Sequence, residues 1–280
     1  MRPIFALLLL GVSLSNAADA PLRALLICGG CCHDYAKQSV ILRDGIQARA
    51  NIQVDVVLSS DSSTKPYFPM YEKADWAKGY DVVIHDECAA DIKEMPYVQN
   101  IVDAHKNGVP AVNLHCAMHC YRTGTDIWFA YLGLQSSGHG WQKPIDIDFT
   151  AAEHPITKGF ANWTTVDEEL YNNIKIFDTA KAVVMGSQIQ QKGNKDTNVV
   201  AWTNDYHGTR IFSTTLGHQN TTVSDDRYLN FVVRGALWSC DKLNPTYLKP
   251  YAGANGKFET IPAKAAEPAP GAEADPVKKK

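Results

Sequence analysis

The sequence predicts one three-layer α/β domain, in which a mostly parallel sheet carries helices on both faces and a β-hairpin comes late in the chain. Three observations lead to this fold class. Short apolar runs alternate with helical stretches in the first half, period-two alternation appears in the second half, and no internal repeat or long linker divides the two. The 280 residues, 45% hydrophobic and 20% charged, suffice for one sizeable core.

The first half predicts four buried strands separated by helices. Residues 22–28 (LRALLIC) form a continuous apolar run, which is typical of a strand covered on both faces. The same reasoning predicts strands at 52–58, 80–85 and 109–114, and helices at 38–49 and 96–107. Strands and helices in alternation imply right-handed crossovers and parallel strand neighbours.

The second half predicts strands with a solvated face, a hairpin and a final helix. Residues 145–149 (IDIDF) alternate with a period of two. Further short strands are expected at 182–185, 199–203 and 210–215. The turn sequence DYHG joins the last two strands as a hairpin. The final helix is expected at 226–239, with Asp225 as its N-cap.

Both ends of the chain differ from the middle. Residues 1–17 have the pattern of a secretion signal, or of an uncleaved anchor, because Arg2 precedes a short apolar run and small residues follow it. Residues 262–280 are rich in Ala, Pro, Glu and Lys, which predicts a flexible tail. We therefore expect a folded domain over 21–261 and an exported protein, periplasmic or extracellular, without stable membrane insertion after signal cleavage.

The charge balance excludes two classes of partner. The chain carries 27 basic and 30 acidic residues, a formal net charge of −3. Binding to nucleic acid or to an anionic membrane surface needs a basic patch, so neither partner is expected.

Cysteine and histidine concentrate where the predicted strands end. Ligands bind outside the carboxyl ends of parallel strands, so these loops are the candidate site. Six of the seven cysteines and five of the nine histidines fall in four such segments: 28–34, 85–88, 115–120 and 217–220. This clustering is the strongest signal for a site that the residues themselves provide.

Cys116 has two interpretations. On a sharp turn between a buried strand and a helix, its thiol would be exposed above the sheet and activated, with His218 as the base. Alternatively, it is a small apolar side chain packed under the loop. A redox pair of Cys28 and Cys31, or one disulfide among Cys31, Cys32 and Cys120, is also compatible with the spacing.

A metal site and a polar substrate cleft both remain open. Enough imidazole and carboxylate groups are present for three ligands: His33, Asp34, His115, His119, His139 and His218. The spacings that mark common zinc sites are absent. These side chains could bind a divalent metal ion, or they could hydrogen-bond a substrate directly.

An ordered set of short motifs resembles the trehalose-utilisation (ThuA-like) family. The matching segments are 29–34, 114–117, 138–139, 152–159, 167–171, 202–218 and 234–238. The resemblance implies a flavodoxin-like fold, similar to the glutaminase domain of class I glutamine amidotransferases. Leu114 and Asn220 stand where amidotransferases carry Gly and Glu, so the glutaminase reaction itself is not implied.

The resemblance implies action on carbohydrate, and three functions remain open. In the first, a lyase, isomerase or hydrolase acts on a sugar or keto-glycoside, with Glu169 or His218 as the acid–base group. The residues expected to hold hydroxyl groups, or a metal, are His33, Asp34, His115, His139 and Tyr171. The second is a non-catalytic carbohydrate-binding or accessory protein. The third is a hydrolase or amidase that depends on Cys116.

Overall fold

The computed structural model describes residues 20–190 and 193–251. The predicted signal at 1–17 and the predicted tail at 262–280 lie outside these residues. Within the described part of the chain, no helix is long and apolar enough to cross a membrane.

Eleven strands and five α-helices make up the described fold. The strands are β1 Leu22–Gly30, β2 Ile52–Leu58, β3 Val82–Cys88, β4 Ala111–Leu114, β5 Leu134–Gln135, β6 His139–Asp148, β7 Trp163–Tyr171, β8 Lys175–Ile176, β9 Ala180–Ile189, β10 Lys195–Tyr206 and β11 Thr209–Thr214. The helices are α1 Tyr35–Arg49, α2 Met95–Lys106, α3 Ile127–Leu132, α4 Asn220–Val223 and α5 Asp226–Ser239.

Nine of these strands form one sheet in the order β2-β1-β3-β4-β11-β10-β9-β6-β7. The first five are parallel, and β10, β9, β6 and β7 extend the sheet with antiparallel neighbours. The predicted α/β class is confirmed, and so is the late hairpin, which is β10–β11. The parallel strands place the ends of β1, β4 and β11 at one edge of the sheet.

The two faces of the sheet bury two separate cores. Leu26 and Cys28 of β1 pack in the core under α1 and α5, whereas Leu25 and Ile27 pack in the core under α2 and α3. Successive side chains of a strand point to opposite faces, so a continuous apolar strand fills both cores at once. This is why the apolar run at the start of the domain has no polar alternation.

Two segments predicted as loops or turns are strands instead. The third strand extends to Cys88, so the predicted loop at 85–88 is the buried end of β3. The acidic segment 167–171, whose charged residues are also compatible with a solvated turn, belongs to β7. Both errors have one cause: charged and imidazole side chains suggest solvent, but here they have partners inside the protein.

The antiparallel extension folds back over the carboxyl edge. Its successive antiparallel steps return β7 to the direction of β11, so the carboxyl end of β7 reaches the same edge. In a flat sheet, five strand spacings would put β7 about 24 Å from β4. Yet Glu169 of β7 lies 3.5 Å from His115, which follows β4. Register shifts in the β6–β7 and β9–β10 pairings mark irregularities that allow this curvature.

Candidate functional site

Three histidines and one glutamate converge at this edge, and we call them the open cluster. His33 follows β1, His115 follows β4 and His218 follows β11, whereas Glu169 comes from β7. The rings of His33 and His115 are 4.7 Å apart, those of His33 and His218 are 4.9 Å apart, and those of His115 and His218 are 5.4 Å apart. One ring nitrogen from each histidine lies within 4.8 Å of the others.

Tight backbone turns bring the histidines together. His115 begins a 3-10 turn with a φ of +42°, a conformation that few non-glycine residues adopt. Gly217 precedes His218 with a φ of +126°, and a Cβ there would lie 2.8 Å from the Tyr228 hydroxyl. Gly30 has a φ of +104°, and its Cβ would lie 2.2 Å from the Cys88 carbonyl oxygen. Side chains at either glycine would push these turns apart.

Glu169 is the carboxylate at the centre of the site. Its Oε2 atom lies 3.5 Å from Nε2 of His115 and 3.5 Å from Nε2 of His139. Its Oε1 atom lies 3.4 Å from Nδ1 of His218 and accepts a hydrogen bond from Gln142 at 3.1 Å. A buried carboxylate surrounded by three imidazoles can accept a proton from, or return it to, a ligand in their midst.

The surroundings shift the pKa values of these groups in different directions. Burial would raise the pKa of Glu169, but His115 and His218 outweigh it and hold that pKa far below its usual value. Contact with Glu169 raises the pKa of His218 against the effect of burial. Burial, reinforced by His115 and His218, lowers the pKa of His33 to about 3, so this ring is neutral at pH 7.

Tyr171 lies beneath the site and does not face a ligand. It is 1% exposed, and its hydroxyl is 3.4 Å from Nε2 of His115. The ring stacks against His119 at 4.1 Å and against His139 at 5.6 Å. The predicted role in substrate binding is therefore indirect, because Tyr171 supports the rings that surround Glu169.

Asp34 lies at the mouth of the site. Its side chain caps α1 by accepting a hydrogen bond from the Lys37 amide, and its other oxygen accepts one from Asn220. A cleft of about 400 Å³ opens here, within the usual size range of small-molecule sites. Its lining is Cys32, His33, Asp34, His218, Gln219, Asn220 and Thr221. His139, 37% exposed at its side chain, lies on the other side of Glu169.

Two residues that the sequence did not single out hold the loop of His218. Glu168 accepts hydrogen bonds from the amides of His218 and Gln219, at 3.2 and 3.3 Å. Gln38 of α1 donates to the carbonyl oxygens of Gly217 and His218. The paired glutamates of β7 were a visible signal for Glu168, whereas nothing in the sequence marks Gln38.

The cysteines are arranged as two disulfides and three thiols in the described residues. Cys31 is bonded to Cys32, and Cys88 is bonded to Cys116. Cys28, Cys120 and Cys240 are free. A disulfide sulfur offers no thiolate, so this arrangement does not support Cys116 as a nucleophile. The Cys-dependent alternative would require reduction of the Cys88–Cys116 bond. Of the two arrangements compatible with the spacing, the Cys28–Cys31 pair is not formed, whereas a disulfide among Cys31, Cys32 and Cys120 is, between Cys31 and Cys32.

A second histidine–carboxylate group, the closed cluster, lies inside the protein and comprises Tyr71, His85, Glu87, His105 and Tyr121. Glu87 Oε1 accepts hydrogen bonds from His85 Nδ1 at 2.8 Å, Tyr71 at 3.1 Å and Tyr121 at 3.0 Å. His85 Nε2 meets His105 Nε2 at 3.0 Å, and His105 Nδ1 donates to the Val109 carbonyl oxygen at 2.7 Å. Every ring nitrogen has a partner and all five residues are buried, so this cluster is structural, although Glu87 Oε2 has no hydrogen-bond partner.

A larger cavity of about 560 Å³ lies elsewhere, between α5 and the end of the described chain, and its arginines make hydrogen bonds, although Arg234 Nε and the Tyr251 hydroxyl have no partner. Arg49 bonds Asp226 and Asn230, and Arg227 bonds Asp225. Arg234 donates to backbone carbonyl oxygens. The cleft beside the open cluster is smaller than this cavity, but the open cluster has unpaired ring nitrogens. We therefore take the open cluster as the functional site.

Comparison with known proteins identifies relatives of the fold. The family model ThuA, described as trehalose utilisation, matches residues 23–239. A solved ThuA-like protein from Bacteroides uniformis matches with a TM-score of 0.60 and 16% identity, over 81% of this chain and 94% of its own. A glutamine amidotransferase from Thermotoga maritima matches with a TM-score of 0.45 and 11% identity, over 78% and 97%. A comparison with curated proteins found no match.

Proposed function

The chain belongs to the ThuA family described as trehalose utilisation, and we propose that it is an exported enzyme acting on a sugar or keto-glycoside by acid–base chemistry. The observation that carries the proposal is the convergence of three imidazoles, His115, His139 and His218, on the buried carboxylate of Glu169. These groups come from four distant parts of the chain. The family supports carbohydrate as the class of substrate, and the cleft beside His33 and His218 has room for a small sugar.

The chemistry follows from the position of Glu169. A lyase, isomerase or hydrolase acting on a keto-glycoside must remove a proton from carbon or water and return one to oxygen. Glu169 and His218 lie 3.4 Å apart, so the pair can accept that proton and then return it. The raised pKa of His218 suits the base, and the ionised Glu169 balances the charge of the imidazolium. His33 and Asp34 at the mouth, and His139 on the far side, are placed to donate to or accept from sugar hydroxyl groups. Backbone turns and Tyr171 hold His115 in position.

A turnover panel with two matched variants tests this proposal. The mature protein is incubated with keto-disaccharides and their parent sugars, and product is followed by mass spectrometry. We expect turnover of at least one keto-sugar, and a loss of about 10²–10⁴-fold in Glu169→Gln, because a positioned acid–base group contributes that much. The control is Glu153→Gln, which changes a carboxyl that is 87% exposed and pairs with Lys158.

The panel separates the alternatives. Thermal stabilisation by a sugar without any product would favour the carbohydrate-binding protein and contradict the enzyme. Turnover that survives Glu169→Gln would also contradict the proposed chemistry. Loss of turnover in Cys116→Ala, with Glu169→Gln still active, would favour the Cys-dependent hydrolase.

A further inference from the structure

The open cluster contains a ring-nitrogen pocket that acid–base chemistry alone does not explain. His33, His115 and His218 each offer one ring nitrogen, and these three nitrogens lie within 4.8 Å of one another. Their rings are mutually inclined at 79°, 83° and 62°. Three ring nitrogens this close together can contact one small ion placed between them.

The contacts of His115 show which nitrogen faces the cluster. Its Nδ1 atom lies 2.7 Å from the Thr215 carbonyl oxygen, which can only accept, so Nδ1 carries the hydrogen. In the neutral ring, Nε2 then has a lone pair, 3.5 Å from the Glu169 carboxylate and 3.4 Å from the Tyr171 hydroxyl, which can donate to it. The lone pair and the carboxylate are two electron-rich groups that face each other. A cation between them would relieve this repulsion.

The other two rings also have nitrogens that are not fully paired. Nδ1 of His33 is buried without a hydrogen-bond partner, and Nδ1 of His218 faces the Glu169 carboxylate at 3.4 Å without hydrogen-bond geometry. Buried polar atoms in proteins nearly always have a partner, so these nitrogens indicate that a ligand completes the pocket. In the closed cluster, by contrast, each ring nitrogen of His85 and His105 is paired.

We infer that His33, His115 and His218 hold one divalent transition-metal ion, with the Glu169 carboxylate beside it. Three imidazoles and a carboxylate suit Zn²⁺, Mn²⁺ or Fe²⁺, whereas Mg²⁺ and Ca²⁺ prefer oxygen ligands. Catalytic zinc sites typically have three protein ligands and one open position, and here the cleft beside His33 and His218 provides the opening. The Thr215 carbonyl orients His115 as the outer-shell partner of a metal-bound histidine does.

This inference deepens the proposed function and rests on it for what the ion would do. A bound divalent ion activates water or polarises a sugar carbonyl group. His218 then serves as a ligand, and Glu169 remains as the acid–base group. The neighbouring sulfur atoms of Cys31, Cys32 and Cys88 are not an alternative metal site, because all three are in disulfides.

Ion binding is measured directly, without turnover. The mature protein is stripped with a chelator and titrated with ZnCl₂ and MnCl₂ by calorimetry, and CoCl₂ is added to record its visible absorption. We expect one ion per chain, with cobalt absorption typical of nitrogen ligands. His33→Ala and His218→Ala should each weaken binding by on the order of 100-fold or more, since outer-shell partners alone contribute about 10–100-fold.

His207→Asn is the matched control, because it removes an exposed imidazole from a turn with a φ of +54°, which Asn tolerates. It should bind zinc as the wild type does. Far-UV circular dichroism confirms that each variant is folded. Zinc affinity unchanged in both His33→Ala and His218→Ala, or no saturable binding in the wild type, would overturn the inference.

Failure of the inference and failure of the proposed function give different results. A protein that binds no ion but turns over a keto-sugar contradicts the metal site and leaves the enzyme. One tightly bound ion per chain, without turnover of any sugar, supports the metal site and contradicts the enzyme.

Discussion

The open and closed clusters use the same residue types and have opposite roles. Each combines histidines with a glutamate on or beside strands of one sheet. In the closed cluster, Glu87 and His85 are fully buried and hydrogen-bonded to each other. In the open cluster, His33 and His218 reach a cleft, and Nδ1 of His33 has no hydrogen-bond partner. Residue type therefore does not distinguish a site from a core; access to solvent and unpaired ring nitrogens do.

The difference also explains why the two clusters should respond differently to mutation. Groups that satisfy one another stabilise the fold, so removing one leaves its partners unpaired. Groups held without partners contribute little to stability and are available to a ligand. Substitutions in the closed cluster and in the open cluster test this contrast.

The largest expected effect is on the closed cluster. Glu87→Ala removes the acceptor shared by His85, Tyr71 and Tyr121. Breaking a buried pair in this way should lower the free energy of unfolding by about 3–5 kcal/mol, measured by urea denaturation. If Glu87→Ala does not fold, Glu87→Gln keeps one acceptor oxygen and should show a smaller loss of the same sign. If Glu87→Ala lowers the free energy of unfolding by less than about 1 kcal/mol, the proposed structural role of this cluster is contradicted.

The sequence predicts which histidines converge in the open cluster better than it predicts which histidines stay outside it. His33, His115 and His218 follow three apolar strands, and parallel strands end at one edge, so their convergence could be expected. His85 looked equivalent, but β3 continues to Cys88 and keeps it inside. No local pattern reports that continuation, because the partners of His85 come from distant segments.

For Glu169, the sequence indicated the residue but not its position in the fold. Its segment was recognisable as a family motif, but its place beside His115 depends on the antiparallel strands curving back over the edge. Curvature of that kind is a property of the whole sheet and of its irregular pairings. The sequence therefore predicted that Glu169 matters without predicting how it reaches the histidines. Gln38 was missed for a related reason, since one glutamine on a helix carries no signal.

A smaller effect, on the closed cluster, is a dependence of stability on pH. Burial, with His85 nearby, lowers the pKa of His105 to about 3, whereas an unfolded histidine has a pKa of about 6.5. Between these values the unfolded chain binds the extra proton, so stability falls as the pH falls and levels off above about 6.5. His105 should contribute a slope of up to about 1.4 kcal/mol per pH unit.

The measurement compares urea unfolding of the wild type and of His105→Gln across this range. The variant is expected to be less stable throughout, because Val109 and His85 lose their partner. Its pH dependence should be shallower by the contribution of one histidine. Equal slopes in the two proteins would mean that His105 can be protonated in the folded state, and the closed cluster would then be less sealed than its geometry indicates.

The smallest expected effect is on the stability of the open cluster. His33→Ala removes a ring whose Nδ1 atom has no hydrogen-bond partner, so mainly its ring contacts with Tyr35, His115 and His218 are lost. In chelator, the free energy of unfolding should fall by about 1 kcal/mol, the typical effect of a single substitution. The chelator is essential, because a bound ion would stabilise the wild type through ligand binding and exaggerate the difference. A loss of several kcal/mol in chelator, comparable with that of Glu87→Ala, would make His33 part of the folded framework. The contrast between a paired, sealed cluster and an unpaired, accessible one would then no longer hold.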